Sequence, residues 1–185
     1  MPDEQWLHAI YCANYKRLYA IGRLFAGSSP QHAQVVEDMV QEAFLLLFDK
    51  REKLYTHPNI GGWLVETMRG LMLNHLRKQK RRGAHLAFSL DEEGAGRSVA
   101  SDAFYAPEDA LTHKENLETL KTLLGEENAA LFLSYCVENK SAKEIAKAWG
   151  LSEGCVRMRV MRLKKTILEN KALFLAVAAI FFVTK

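Results

Sequence analysis

The sequence predicts an all-α protein made of two small helical domains joined by a flexible linker. Apolar residues recur at the i, i+3 and i+4 spacing of helices along most of the 185 residues, and no stretch shows the alternation of a strand. Residues 141–165 read as two short helices with a tight turn, the pattern of a helix-turn-helix. Basic residues dominate 67–88 and 153–168, and acidic residues dominate 91–118 between them. This distribution indicates two nucleic-acid-facing modules.

Changes in composition along the chain predict its domain organisation. We expect a first helical domain over residues 1–83 and a helix-turn-helix domain over 107–170. Residues 84–106 contain glycines and serines without helical periodicity, so they predict the flexible linker. Residues 171–185 form an apolar tail, in which the run from Ala172 to Val183 contains no polar residue.

The composition excludes several classes of protein. Hydrophobic residues make up 49% and charged residues 25% of the sequence, as in soluble globular proteins. Cys12, Cys136 and Cys155 are too far apart for a zinc spacing or a disulfide framework, which predicts a cytoplasmic protein without a bound metal. The sequence has no glycine-rich phosphate loop and no nucleophile motif, so we expect no enzyme activity, no cofactor and no small-molecule substrate.

Three long helices are predicted in the first domain, over residues 3–26, 31–49 and 60–82. The apolar spacing in each helix predicts which side chains face the core. The expected core residues are Trp6, Ile10, Ala13, Leu18, Ile21, Phe25, Val36, Val40, Phe44, Leu47, Val65, Met68, Met72 and Leu76.

The second and third helices also carry residues that the core does not explain. Asp38, Gln41, Glu42 and Leu45 form a second, mostly polar stripe, which is either a solvated face or a docking face. Trp63 lies at the start of the basic third helix. It is either a core residue or an aromatic side chain that stacks on unpaired bases.

The helix-turn-helix prediction depends on residue types at defined positions. Ser141 and Glu144 form a capping box that begins the first helix. Gly150 occupies a turn position that favours a left-handed conformation, and Ser152 begins the second helix. Val156 starts an apolar stripe that continues at Val160, Leu163 and Ile167, and the residues that face outward from it are Arg157, Met161, Arg162 and Lys165. The alternative is an ordinary helical hairpin with a charged, solvated face.

These motifs, in this order, resemble the sigma-70 family. The segment VEDMVQEAFLLLFD (36–49) is similar to the polymerase-binding segment of that family. The segment from Gly61 to Arg82 resembles its −10 recognition helix, and 141–165 resembles its −35-binding helix-turn-helix. Because only these two domains and a short linker are present, the chain is identified as a member of the extracytoplasmic-function (ECF) group.

The resemblance implies roles for individual residues. The residues expected to bind polymerase are Asp38, Gln41, Glu42 and Phe44. The residues expected to bind DNA are Trp63, Arg69, Asn74, His75, Arg77, Lys78, Lys80 and Arg81 on the first basic helix, and Arg157, Arg159, Met161, Arg162 and Lys165 on the second.

The function implied by the resemblance is that of a sigma factor, which binds core RNA polymerase and directs it to −10 and −35 promoter elements. The implied partners are core RNA polymerase and promoter DNA, and an anti-sigma factor is a further candidate partner. The alternative is a stand-alone helix-turn-helix transcriptional regulator with an N-terminal helical partner domain.

The apolar tail is expected to be buried against protein. As a helix, the run from Ala172 to Val183 spans about 18 Å, whereas the hydrocarbon core of a bilayer is about 30 Å thick. The first domain of the same chain, or a partner such as an anti-sigma factor, is the expected shelter.

Overall fold

The computed structural model describes residues 4–27, 29–81 and 109–183, with the side chains of residues 80, 109–113 and 181–183 set aside. These described residues are helical without any strand, which confirms the predicted all-α class. The helices are α1 (Glu4–Ala26), α2 (Pro30–Asp49), α3 (Arg51–Leu54), α4 (Ile60–Arg81), α5 (Asp109–Leu124), α6 (Glu126–Cys136), α7 (Ala142–Trp149), α8 (Glu153–Glu169) and α9 (Lys171–Val183).

The chain divides into two compact units, Met1–Leu86 and Ala87–Lys185. The linker predicted over 84–106 lies outside the described residues, as does Pro107.

The first unit is built from α1, α2 and α4, which pack on one another. Gly22 lets the three helices pack closely, because a Cβ atom there would lie 2.5 Å from Val36 Cγ1 and 2.7 Å from Met68 Cε. The core side chains of this unit are Leu18, Ile21, Leu24, Phe25, Val36, Met39, Val40, Leu47, Leu54, Leu64, Val65, Met68 and Met72.

Two details of the first unit differ from the sequence prediction. Ala13 was expected in the core but is exposed. It lies in the N-terminal half of α1, and every buried residue of that helix lies from Leu18 onward. The short helix α3 was not predicted, because four residues are too few to show a period. It buries only Leu54.

The second unit contains α5 to α9. The helix α9 packs on α5 and α8, and Asn170 alone separates it from α8. The Asn170 Oδ1 atom accepts a hydrogen bond of 3.2 Å from the Leu173 backbone N–H, which begins the new helix. The side chains that α9 buries are Leu173, Phe174, Ala176, Val177, Ala178 and Ile180.

The apolar tail is therefore part of the core of its own unit. Burial against protein was predicted from the sequence, but the predicted covering surface was the first domain or a partner rather than the neighbouring helices α5 and α8. Within the described ranges, none of the helices combines the length and apolar character needed to cross a bilayer.

Candidate functional surfaces

The predicted polymerase-binding stripe lies on the outer face of α2. Asp38, Gln41 and Glu42 are exposed, while Val36 and Val40 of the same helix are completely buried. The Asp38 Oδ1 atom accepts a hydrogen bond of 3.0 Å from the Gln34 side chain, one turn earlier. The three polar side chains thus lie on one face of a helix that the core fixes from the other side.

Phe44, the fourth predicted polymerase-binding residue, is half-buried at the edge of that face. Its ring lies 4.8 Å from the ring of Tyr11 on α1. Tyr11 in turn contacts Tyr15, with ring centroids 5.2 Å apart. Phe44 therefore packs between helices and is accessible only in part.

A hydrogen bond between α1 and α2 holds the two helices together beside this face. The Tyr15 hydroxyl donates to the Glu37 carboxylate, at 2.7 Å from Oε2 and 2.9 Å from Oε1. This bond is the main reason that the pKa of Tyr15 is raised to about 12, because the hydroxyl can donate it only while it keeps its proton. The contact fixes the rotation of α2 relative to α1.

The docking stripe is more apolar than the sequence analysis indicated. Leu45 is 64% exposed and Phe48 is 48% exposed. Leu45 follows Asp38 and Gln41 at helical spacings of seven and four, and Phe48 follows Gln41 after seven. Phe48 was not predicted from the sequence to lie on the docking stripe. Only its exposure in the structure places it there.

The helix α4 begins with a side-chain cap. The Gly62 N–H donates to Asn59 Oδ1 at 2.7 Å, as a capping residue does at a helix N-terminus. Trp63 is half-buried near this end, and the Lys50 ammonium lies 5.8 Å from the centroid of its ring. The indole is thus neither fully buried in the core nor fully exposed, between the two positions predicted from the sequence.

The basic C-terminal half of α4 presents cationic and polar groups. Asn74, Arg77, Lys78 and Arg81 are exposed, and Arg77 Nη1 lies 3.5 Å from Asn74 Oδ1. Among the residues that the structure describes, Arg77 and Lys78 have no carboxylate within ion-pair distance.

Two further predicted DNA-binding residues of α4 are half-buried. Arg69 and His75 are both intermediate in exposure. A ring nitrogen of His75, Nε2, lies 2.7 Å from Gln79 Nε2 one turn later. The side chain of Lys80 lies outside the described residues.

The helix-turn-helix has the local structure that its sequence predicts. Ser141 Oγ accepts from the Glu144 N–H at 3.2 Å, and the Glu144 carboxylate accepts from the Ser141 N–H at 2.8 Å, so both halves of the capping box are present. Gly150 is left-handed, with φ +66° and ψ +30°. Ser152 Oγ accepts from the Cys155 N–H at 3.2 Å, which begins α8.

The helices α7 and α8 pack on each other through the expected apolar residues. Ile145 and Ala146 are buried on α7. On α8 the buried stripe consists of Val156, Val160, Leu163, Ile167 and Leu168.

The outer face of α8 presents a mixed surface. Arg162 and Lys165 are exposed, and Arg157 and Met161 are half-buried. Arg157 forms an ion pair of 3.3 Å with Glu153. Met158, which the sequence analysis did not single out, is 38% exposed and lies four residues before Arg162 on the same face.

Arg159 has a different environment from the other arginines of α8. Its Nη2 atom donates to Glu127 Oε1 at 2.9 Å and to Asn128 Oδ1 at 3.2 Å, both on α6. Its side chain is 27% exposed. Arg159 therefore lies between two helices of its own unit.

A second polar contact between α6 and α8 involves Lys164. Its ammonium group lies 5.9 Å from the centroid of the Tyr135 ring, within the range of a cation–π contact. Burial lowers the pKa of Lys164 and raises the pKa of the Cys136 thiol to about 11. Cys136 thus stays a protonated core residue at neutral pH rather than a reactive thiolate.

Metal binding has no candidate centre in the described part of the chain. No group of three or more His, Cys, Asp or Glu side chains there is placed to hold a metal ion.

The helices and their local structure define an all-α protein with a helix-turn-helix in its second unit. The family described as sigma-70 region 2 matches residues 10–82, which contain most of α1 and all of α2, α3 and α4. The match covers fewer than half of the 185 residues and lies within the first unit.

The chain is also similar to a curated protein from Xanthomonas campestris pv. campestris, described as a probable RNA polymerase sigma factor, RfaY. The two are 29% identical over 136 residues, which cover 71% of this chain and 32% of that protein. The chain thus spans about a third of the length of this relative. No solved structure matches the chain.

Proposed function

We propose that this chain is an ECF-type sigma factor that binds core RNA polymerase and brings it to promoters. The observation that carries the proposal is the sigma-70 region 2 match over residues 10–82, which includes the α2 segment with Asp38, Gln41 and Glu42 on an exposed face. A binding role of this kind requires no catalytic group of its own, and its place is the cytoplasm, where polymerase and promoters meet.

The docking step uses the outer face of α2. The carboxylates of Asp38 and Glu42 provide charge complementarity for a basic surface on polymerase, which favours correct orientation and fast association. Leu45 and Phe48 add apolar area that would lose water on docking. An interface with an apolar centre and a charged rim is typical of a specific protein contact.

The promoter step uses both units. In the second unit, α8 enters the major groove of the −35 duplex, where Arg157, Met161 and Arg162 reach base edges. In the first unit, α4 holds the opened −10 strand, with Arg77 and Lys78 on its phosphates. Unstacking a base costs a few kcal/mol, which stacking on an accessible aromatic face such as that of Trp63 offsets in part.

The docking step is tested by reversing one charge. The variant Glu42→Lys should bind core polymerase at least about tenfold more weakly, because its positive lysine would face the basic surface that the wild-type carboxylate complements. The matched control is Glu115→Lys, which makes the same charge change at an exposed position of α5. Core binding is measured by pull-down, and the fold by circular dichroism.

Transcription then separates this proposal from the alternative. The wild-type protein with core polymerase should start transcripts from a subset of random promoter templates, and Glu42→Lys should start fewer. If the protein binds duplex DNA specifically but never binds core polymerase, the chain is a stand-alone regulator. If Glu42→Lys and Glu115→Lys bound core polymerase equally well, α2 would not be the docking face. An anti-sigma factor, as a further partner, would compete with polymerase in the same pull-down.

A further inference from the structure

Arg159 connects the predicted recognition helix to the corner between α5 and α6. Its Nη2 atom donates to Glu127 Oε1 at 2.9 Å and to Asn128 Oδ1 at 3.2 Å. Both acceptors lie in the first turn of α6, which begins at Glu126. One guanidinium nitrogen thus bridges two adjacent side chains on a neighbouring helix.

The connection continues beyond α6. The Asn128 Nδ2 atom donates to the Leu124 backbone C=O at 3.0 Å, and Leu124 is the last residue of α5. Gly125 joins the two helices with φ +81°, a conformation that favours glycine. A continuous chain of hydrogen bonds therefore runs from α8 through α6 to the end of α5.

The environment of Arg159 differs from that of the arginines expected to reach DNA. Because a helix turns by about 100° per residue, Arg159 lies about 200° around the axis of α8 from Arg157. Arg159 lies about 60° from Arg162, because the three residue steps between these positions advance the helix by about 300°. Arg162 is exposed, whereas Arg159 contacts α6.

We propose that Arg159 is a positioning residue, which fixes the rotation of α8 on α6 so that other side chains of α8 reach the DNA bases. This inference rests on the proposed function only where DNA binding is the quantity measured. A planar guanidinium with donors in a fixed geometry suits this task better than a flexible ammonium. A phosphate contact through the Nη2 atom of Arg159 would compete with its hydrogen bonds to Glu127 and Asn128.

The experiment exchanges the two charges in the full-length protein. In complex with core polymerase, Arg159→Glu should lower promoter affinity about threefold to tenfold, the size expected for losing a partly exposed charged pair and its hydrogen bonds. The double variant Arg159→Glu with Glu127→Arg restores a pair between the same helices and should recover most of the affinity. If Arg159 instead contacts a phosphate, the glutamate at 159 repels DNA in both variants, and no recovery occurs.

The matched control places the same charge one residue away. Arg159→Glu with Glu126→Arg has the net charge of the wild type, but Glu126 has no contact with Arg159 in the described structure. It should stay as weak as the single variant. Recovery in both double variants would mean that general charge, rather than position, determines affinity, and would overturn the proposal.

The salt dependence gives a second readout that a phosphate contact would change. Affinity is measured by fluorescence anisotropy between about 50 and 200 mM salt. Arg159→Ala should lower affinity without changing the slope of log affinity against log salt. A slope smaller by about one would assign a phosphate contact to Arg159 and contradict the positioning role.

Hydrogen exchange of the free full-length protein separates failure of this proposal from failure of the proposed function. The backbone amides of α8 should exchange faster in Arg159→Glu than in the wild type. They should recover their protection in the double variant Arg159→Glu with Glu127→Arg. This pattern would support the positioning contact even if the wild-type protein bound neither polymerase nor promoter. Unchanged protection in all variants would refute the contact, whatever the DNA result.

Discussion

The two helices expected to meet DNA, α4 and α8, hold their positive charges in different ways. On α8, Arg157 pairs with Glu153 at 3.3 Å, and Arg159 pairs with Glu127 at 2.9 Å. On α4, Arg77 and Lys78 are exposed, and neither is within ion-pair distance of a carboxylate in the described residues. These two arginines of α8 are paired within their own unit, whereas Arg77 and Lys78 have no such pair in the described part of the chain.

This difference predicts different contributions to binding. Unbalanced cations at the surface attract phosphate over roughly a Debye length, about 8–10 Å in physiological salt, so α4 should contribute salt-dependent affinity for any sequence. Paired arginines attract at shorter range and are held in defined positions, which favours contacts to particular bases. We therefore expect α4 to hold the nucleic acid and α8 to distinguish sequences.

The largest effect should come from breaking the support of α8. Phe174 on α9 is completely buried, and α9 packs on both α5 and α8. Replacing it with alanine should destabilise the second unit by about 3–5 kcal/mol, because a large cavity remains. Calorimetry should show one transition shifted down, with the first unit unchanged. The control is Leu123→Ala, since Leu123 is 48% exposed and should change stability by less than about 0.5 kcal/mol.

The next effect sharpens the role of α8 in distinguishing sequences. Replacing both Arg157 and Arg162 with alanine should remove about 1–3 kcal/mol of discrimination for each lost arginine–guanine pair. Promoter selection from a random template pool, compared with affinity for a non-promoter duplex, measures this loss. Equal losses on promoter and non-promoter DNA would show that α8 does not read the sequence.

A smaller, sequence-independent effect is expected from α4. Replacing Arg77 and Lys78 with alanine should weaken binding to all templates by a similar factor. The slope of log affinity against log salt should fall by about 0.7 for each phosphate contact to a single strand. Anisotropy titrations at several salt concentrations measure the slope. A selective loss on promoters alone would reverse the roles assigned to the two helices.

The smallest effect concerns the reciprocal capping box of α7, whereas α4 begins with the single side-chain hydrogen bond to Asn59. Replacing Ser141 with alanine should cost about 1 kcal/mol of stability. The hydrogen bond from the Ser141 N–H lowers the pKa of the Glu144 carboxyl below its ordinary value of 4.5. A lowered folded-state pKa stabilises the protein above the ordinary value, and this contribution disappears as pH falls through the folded-state value.

The pH dependence follows from that sign. The stability difference between the wild type and Glu144→Gln should be full near neutral pH and should shrink in acid, below about pH 4.5. Chemical denaturation at several pH values measures it. A difference that grew in acid would contradict the capping role of the carboxylate.

Local signals in the sequence predicted much of the fold. Ser141, Glu144, Gly150 and Ser152 act within a few residues, so their hydrogen bonds and backbone angles follow from residue type and spacing. The apolar period on α8, beginning at Val156, likewise predicted the buried stripe. The all-α class is confirmed, whereas the polymerase-binding and DNA-binding residues stay predictions.

Other features depend on contacts between distant segments, which spacing does not encode. The contact of Arg159 with Glu127 joins residues 32 positions apart; in the sequence, Arg159 is simply one more basic residue of α8. Ala13 fits the apolar period of α1 but lies where that helix has no buried residue. The hydrophobicity of 171–185 predicted burial, but it did not indicate that α5 would be the covering helix.

The packing of α9 on α5 also affects the order in which the two units fold during synthesis. A ribosome adds roughly 5–20 residues per second, and α5 is complete long before Phe174 is added. During that interval the apolar faces of α5 and α8 have no covering helix, so they are candidate binding sites for a chaperone. The second unit can finish folding only after α9 leaves the exit tunnel, whereas α1, α2 and α4 can pack earlier. A nascent chain stalled before α9 should therefore resist protease in its first unit alone.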